Sequence, residues 1–253
     1  MSYSLTIERE KFSKMLNLMA LIENYATDCD IQHGRIRQKT NNRQSITDID
    51  LTSILGDNDL SLSLIKSKVQ LLKSFELDEN VQLSNKNILI ESNESNYEFS
   101  DPLSKMIFRK PSAKFLDNKH IPDEEFNQII RCKEENLLFT YTISNYIKRR
   151  MSAACLGFDT DLITFNLHEL KGSATIQPTN KENTTNYIEE ITLNKQVSNE
   201  SFMISNLAFV LDIASDITLN CYTVTKDVYL CKISQMYFAT PVVIYTQAKV
   251  TKN

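Results

Sequence analysis

Four pairs of aspartates stand two residues apart: Asp28/Asp30, Asp48/Asp50, Asp57/Asp59 and Asp159/Asp161. Convergent carboxylates are what a pair of divalent cations needs for metal-assisted displacement at phosphorus. Asp48 and Asp50 alternate inside a strand pattern, and the other three pairs sit where turns are expected, a common place for aspartate. No histidine or glutamate keeps a ligand spacing beside them. His33, His120 and His168 are isolated and match no zinc pattern. The five cysteines (Cys29, Cys132, Cys155, Cys221, Cys231) are odd in number and never form Cys-x-x-Cys, which suits reduced thiols in apolar cores. With four glycines in the chain, and no Gly-x-Ser-x-Gly, P-loop or Rossmann fingerprint, phosphate-cradling loops and nucleophile elbows are not expected. The residue inventory therefore points to a binding protein with no catalysis, no metal and no cofactor.

Cations offer a different chemistry. Lys66 and Lys73 share a helical face with Gln70, opposite an apolar stripe of Ile65, Val69, Leu72 and Phe75, with Lys68 on the flank. Lys11 and Lys14 take the polar side of an earlier helix, and Lys148, Arg149 and Arg150 form the densest basic run. Such rows can touch phosphates without reading bases. The same spacing also serves the solvated face of an ordinary helix. Arg35, Arg37 and Lys39 alternate along a strand, with Arg43 in the turn beyond, so the first three share one sheet face. They could meet a polyanion or simply keep that face soluble. The net charge of −4 is shared about evenly between the halves, so neither half is a basic domain.

Positioning these side chains requires an α+β architecture rich in antiparallel sheet. Strands are expected at Ser4–Glu8, Asp28–Gln32, Arg35–Thr40, Ser45–Leu51, Leu60–Leu64, Val81–Leu83, Ile88–Glu91 and Tyr97–Ser100, with a tight turn at His33-Gly34. Helices are expected at Arg9–Asn24, Ile65–Phe75, Glu134–Leu156 and Asn206–Ala214; the last carries no basic residue. Later strands are expected at Leu162–His168, Ser173–Pro178, Tyr187–Leu193 and Phe202–Ile204, followed by further strands to Gln247. The two halves share a grammar. Leu60–Pro102 and Ser201–Pro241 both read strand, helix, strand, turn, strand, then an aromatic strand ending at proline. The expected division is a first domain at 1–100, a connector at 101–122 and a second domain at 123–253. Apolar residues within the polar connector (Met106, Ile107, Phe108, Pro111) and near the C-terminus (Tyr237, Phe238, Pro241, Val242, Val243) must be covered by something, either the protein itself or a partner. No apolar run reaches eighteen residues, and MSYSLTIEREKF lacks a signal-peptide core, so the expected location is the cytoplasm.

In this order of elements the chain resembles the sliding clamps, the processivity factors of DNA polymerases, in their two-domain form found in phage, archaea and eukaryotes. SITDIDLTSI and LSLSLIKSKVQLLKSFELDENVQLSNKNILIES resemble the middle and end of a first clamp domain, and MYFATPVVIYTQAK resembles a clamp C-terminus. The resemblance implies a duplicated domain of helices packed on antiparallel sheets. It also implies a ring-shaped homotrimer and sequence-independent contact with duplex DNA through Lys11, Lys14, Lys66, Lys68, Lys73, Lys148, Arg149 and Arg150. It further implies a partner groove at Met106, Ile107, Phe108, Pro111, Tyr237, Phe238, Pro241, Val242 and Val243. DNA polymerase and an ATP-driven clamp loader are the implied partners. Tyr97–Ser100 and Ser173–Pro178 are, by the same analogy, the strand edges that meet between subunits. Size and composition suit a phage protein working in its host's cytoplasm. Two other readings stay open: a clamp-like recruitment platform for transcription or repair, and a non-toroidal α+β structural or assembly protein.

Overall fold

A computed structural model describes residues 2–23, 26–41, 43, 45–76, 86–130, 132–160, 162–179, 185–204, 215–225, 228–237 and 240–250. The chain divides into two compact units, Met1–Asp123 and Glu124–Asn253. The helix expected at Asn206–Ala214 and the strand expected at Val81–Leu83 lie outside the described residues.

The first unit runs β1 (Tyr3–Glu8), α1 (Arg9–Ile22), β2 (Cys29–Gln32), β3 (Arg35–Lys39), β4 (Ser45–Asp50), α2 (Thr52–Leu55), β5 (Leu60–Leu62), α3 (Ile65–Leu72), β6 (Asn87–Ser92), β7 (Asn96–Ser100) and β8 (Lys105–Arg109). A single 3-10 turn, Lys73–Glu76, continues α3. Its strands form two antiparallel sets, ordered β1-β6-β7-β8 and β5-β2-β3-β4. Helical and strand periods meet in one core. Phe12, Met15, Leu16, Met19 and Ile22 of α1 are buried at helical spacing, as are Ile65, Val69 and Leu72 of α3. Ile88, Ile90, Tyr97 and Phe99 are buried at alternate strand positions. Phe12 joins the layers, its ring 6.1 Å from both Phe75 and Phe99. The Phe12–Phe75 contact is edge-to-face, a geometry that adds about 0.5–1.5 kcal/mol beyond the area it buries.

Sequence-local chemistry explains the corners. His33 (φ 51°) and Gly34 (φ 66°) both take the left-handed region, as a two-residue type I′ hairpin between β2 and β3 requires. The short α2 was not anticipated. It starts because the Asp50 carboxylate accepts from both the Thr52 N–H (2.9 Å) and the Thr52 hydroxyl (2.6 Å). Residues 101–122 are part of the first unit, and their apolar knot is the strand β8, paired antiparallel with β7 from Asn96↔Arg109 to Ser100↔Lys105. The turn into β8 is held by Asp101, whose carboxylate accepts from the Leu103 and Ser104 amides at 2.9 and 2.7 Å and pairs with Arg9 at 2.5 Å.

Helix α4 (Asp123–Ile129) starts on the last residue of the first unit, and the second unit then runs β9 (Leu137–Ile143), α5 (Asn145–Gly157), β10 (Ile163–Ile176), β11 (Tyr187–Ile204), β12 (Ile217–Thr225), β13 (Val228–Tyr237) and β14 (Thr240–Val250). The single helix expected at Glu134–Leu156 is instead a 3-10 turn, a strand and a helix. Phe139, Ile143, Ile147 and Met151 recur every four residues, and four is both about one helical turn and two strand repeats. Tyr141 breaks the tie: Phe139, Tyr141 and Ile143 are all buried on one side of β9. The Ser144 hydroxyl then accepts from the Ile147 N–H at 3.4 Å and caps α5. Leu162–His168 and Ser173–Pro178 likewise merge into one strand, β10, bent at Glu169 (φ 55°), where its register against β11 shifts. Tyr237 and Thr240 pair across the β13–β14 turn, so Pro241 opens a new strand and does not close the old one. Four aromatic rings cluster in the core: Phe139 lies tilted at 6.2 and 6.0 Å from Phe165 and Phe202, and Phe202 stacks on Phe165 at 5.5 Å and on Tyr229 at 5.3 Å.

With β9 restored, the duplication becomes a matter of topology. In the first unit the leading strand is followed by its helix and heads the order β1-β6-β7-β8; in the second, β9 is followed by α5 and heads the order β9-β12-β13-β14. Both are antiparallel throughout.

Candidate functional site

The expected cations do not behave as one set. In the first unit α1 and α3 pack together, and burying their apolar faces leaves Lys11 and Lys66 exposed and Lys14 and Lys73 half-exposed. Among the described residues Lys11 has only a long contact, 4.0 Å, with the exposed Glu8, worth little in water. Lys68 departs from this face. Its ammonium donates to the Ser63 hydroxyl at 3.2 Å and sits 5.6 Å from the ring centre of Phe108. Burial presses its pKa below the ordinary lysine value, with Asp28 opposing.

In the second unit Lys148 corrects the expectation outright. It is buried at 2% exposure on the inner side of α5, beside Met151 and Cys155, and donates to the Ser215 carbonyl at 3.2 Å. Three consecutive residues cannot share a helical face, and burying Met151 and Cys155 brings Lys148 in with them. Arg150 is exposed but engaged. Its guanidinium carbon lies 5.5 Å from the ring centre of Tyr146 and 5.4 Å from that of Tyr187, with Glu189 at 4.0 Å. Of the run, Arg149 is exposed and makes no salt bridge among the described residues.

Arg35 and Arg37 serve the first unit internally. Arg35 grips Asp48 at 2.6 and 3.1 Å, and Arg37, 5% exposed, pairs with both Asp48 and Asp123. Three of the four aspartate pairs also have structural employment, and Asp161 of the fourth lies outside the described residues. Asp28, 2% exposed, accepts from the Leu64 N–H at 3.1 Å and the Asp117 N–H at 2.7 Å. Asp30 accepts from the Ser61 hydroxyl at 2.6 Å and the His120 N–H at 2.9 Å. Asp57 and Asp59 hold His33, through its ring (2.9 Å) and its N–H (2.8 Å). Among the described residues no group of three or more His, Cys, Asp or Glu side chains could hold a metal ion.

This network latches the connector. The Asn118 side chain accepts from the Thr27 N–H (2.9 Å) and donates to the Lys39 carbonyl (2.8 Å), and the Ile121 N–H donates to the Arg37 carbonyl (2.7 Å). Leu116, Asn118 and Ile121 are all buried. His120 is held here too, its pKa lowered by burial with Asp30 opposing. Asp28→Asn sets an amide donor against one of two backbone donors. It is expected to cost about 1–3 kcal/mol and to speed amide hydrogen exchange at Leu64 and Asp117. Unchanged protection at both amides would remove the latch.

The partner-groove residues divide by strand geometry. Alternation along β8 turns Met106 and Phe108 inward, the Phe108 ring lying 5.7 Å from Phe99, and leaves Ile107 at 56% exposure. Pro111 is half-buried. In the second unit Tyr237 and Val243 are half-buried, Val242 is buried and Pro241 is exposed, while Phe238 lies outside the described residues. The sequence reading missed Phe115, which is 82% exposed on a 3-10 turn, Ala113–Phe115, directly before the buried Leu116. The signal was available: in KFLDN only one of two adjacent apolar residues can turn inward from a docked, extended segment.

Neither a protein-family model nor a curated protein matches this sequence. Solved structures do match along its whole length. Proliferating cellular nuclear antigen from Entamoeba histolytica superposes with a TM-score of 0.61 at 12% identity, covering 97% of this chain and 98% of that one. The A. fulgidus PCNA structure with the C-terminal region of FEN-1 bound gives 0.60 at 12%, covering 99% of each chain. The PCNA2–PCNA3 complex of Sulfolobus tokodaii gives 0.56 at 13%, covering 98% and 99%. The chain has the sliding-clamp fold over nearly all of its length.

Proposed function

We propose that this chain is a DNA sliding clamp, a ring that encircles duplex DNA and tethers a polymerase and other partners to it without chemistry of its own. The observation that carries the reading is structural likeness to clamps over 97–99% of this chain and 98–99% of theirs. The mechanism is topological. A closed ring cannot leave duplex DNA sideways, so weak partner contacts gain from the high effective concentration a tether supplies. Lys11, Lys14, Lys66, Lys73 and Arg149 supply loose phosphate contacts, while Lys68, Lys148 and Arg150 brace the fold around them. Opening the ring falls to a separate ATP-driven loader.

Ring closure asks for one open strand edge from each unit, pairing head to tail between subunits. Tyr97–Ser100 cannot supply it, because β7 is paired on both sides, by β6 and β8. Among the described residues β8 pairs only with β7, and β10 only with β11. Exposed Ile107 beside the first edge, and Leu170 and Ile188 beside the second, are apolar surface for the join. Three subunits would give a mass near 87 kDa, three times 29.1. Light scattering across a concentration series tests this, and a persistent 29 kDa monomer at high concentration would sink the ring. Retention on circular but not linear DNA tests the topology. Retention without stimulation of a replicative polymerase would instead favour a recruitment platform.

A further inference from the structure

Five free thiols are scattered through the sequence, and folding brings two of them into contact. Cys221 of β12 and Cys231 of β13 stand directly opposite each other in antiparallel register, between the pairs Asn220↔Lys232 and Tyr222↔Leu230. Residues paired this way point to the same face of a sheet, with Cβ atoms about 4.5–5.5 Å apart. A cystine holds the same atoms about 3.5–4.5 Å apart, so closing the gap asks for a shift of about 1 Å. The Cys231 thiol already donates to the Cys221 sulfur at 3.5 Å, and both side chains are at 0% exposure. They lie in the apolar core of the second unit with Phe139, Phe165 and Phe202. Burial, then the bond to Cys221, then the nearby Cys132 push the Cys231 thiol pKa up, so the pair rests protonated and reduced. Among the described residues no group of three His, Cys, Asp or Glu side chains can hold a metal ion. The chemistry left to two touching thiols is oxidation.

We propose that Cys221 and Cys231 are a modification site, a dithiol that a small peroxide converts to a cystine stapling β12 to β13. With hydrogen peroxide, one thiolate attacks a peroxide oxygen, the O–O bond breaks and hydroxide leaves, giving a sulfenic acid. The other thiol displaces that oxygen as water and the S–S bond forms. The two sulfurs give up two electrons and two protons, and the peroxide becomes two molecules of water. A peroxide is small enough for a site with no open surface. A partner sulfur at 3.5 Å intercepts the sulfenic acid before a second peroxide arrives, so oxidation stops at a reversible stage.

The test treats the folded full chain with hydrogen peroxide, blocks the remaining thiols with N-ethylmaleimide and maps tryptic peptides by mass spectrometry. Cleavage after Lys226 and Lys232 puts the two cysteines on different peptides, so a joined pair reports the bond directly. The expected product is that joined pair, with two of the five thiols lost to maleimide, and dithiothreitol is expected to restore both. In C231A the Cys221 sulfenic acid has no partner, and its labelling by dimedone is expected to rise about tenfold over wild type. The wild-type map decides the matter even where that variant does not fold. Both thiols still free after peroxide, either one carried on to sulfinic acid, or a bond from either to Cys132 would overturn the proposal. So would a folded C231A that labels no more than wild type.

Discussion

Changing Lys11, Lys14, Lys66, Lys73 and Arg149 together to glutamate is expected to leave folding and assembly intact while shortening retention on circular DNA on the order of a hundredfold or more. The five side chains are exposed or half-exposed, so reversing them removes no packing, and surface changes of this kind usually move stability by about half a kcal/mol or less. Their effect on a polyanion is cumulative. Each phosphate contact contributes about 0.9 to the slope of log affinity against log salt. The variant should therefore show both weaker retention and a shallower salt dependence. Lys148→Glu is the control with the opposite signature. A carboxylate in the 2%-exposed site beside Met151 and against the Ser215 carbonyl leaves a buried charge unpaired, at about 3–5 kcal/mol. That variant should lose stability first and DNA second. Retention unchanged in the fivefold variant would remove these helices from the DNA-facing surface.

The contrast between those two variants shows where sequence reading succeeds. Periodicity found α1 and α3 because an amphipathic stripe states which side is buried, and the cations opposite Ile65, Val69 and Leu72 did come out on the open side. A basic run states nothing of the kind. Lys148, Arg149 and Arg150 are consecutive, so a helix must send them in different directions, and only the neighbours decide which one goes inward. The β9–α5 boundary was hidden for a related reason: a four-residue recurrence of Phe139, Ile143 and Ile147 satisfies both regular structures, and the cap at Ser144 was the local mark that separated them. The connector misled in a third way. Its prolines and lysines describe its surface, but its position is set by Asp28 and Asp30, some ninety residues away in sequence. Long-range hydrogen bonds to buried carboxylates have no local signature. The same fact explains why Asp28 and Asp30, a pair that could have suggested metal chemistry, accept instead from distant backbone amides.

Gly34→Ala is expected to be the most damaging single methyl group in the first unit, costing more than about 3 kcal/mol. Two effects add. At φ 66° an L-residue meets its own carbonyl, a penalty of about 1–2 kcal/mol. The added Cβ would also lie 2.0 Å from the Gly56 carbonyl oxygen and 3.2 Å from Thr52 Cα and Cγ2. These are mostly backbone atoms, and they cannot swing aside because the turn is fixed from both directions: the Gly34 N–H donates to the Asn58 carbonyl at 3.1 Å and the Leu51 N–H donates to the Gly34 carbonyl at 2.8 Å. Moving one strand tip would break both bonds and drag α2 with it. The other glycines grade the argument. At Gly56 φ is 61°, but a Cβ meets only the Asn58 side-chain nitrogen Nδ2 at 3.8 Å, so backbone strain acts without the clash. At Gly157 a Cβ meets nothing within 4 Å and φ is ordinary, so alanine should be neutral or stabilise by up to about 1 kcal/mol through the unfolded chain. Urea midpoints of the three alanine variants should therefore fall in the order Gly157, Gly56, Gly34, with the last far below wild type. A Gly34→Ala protein within about 1 kcal/mol of wild type would mean that the β2–β3 turn is not packed against α2, and the hairpin that carries Arg35 and Arg37 would lose its anchor.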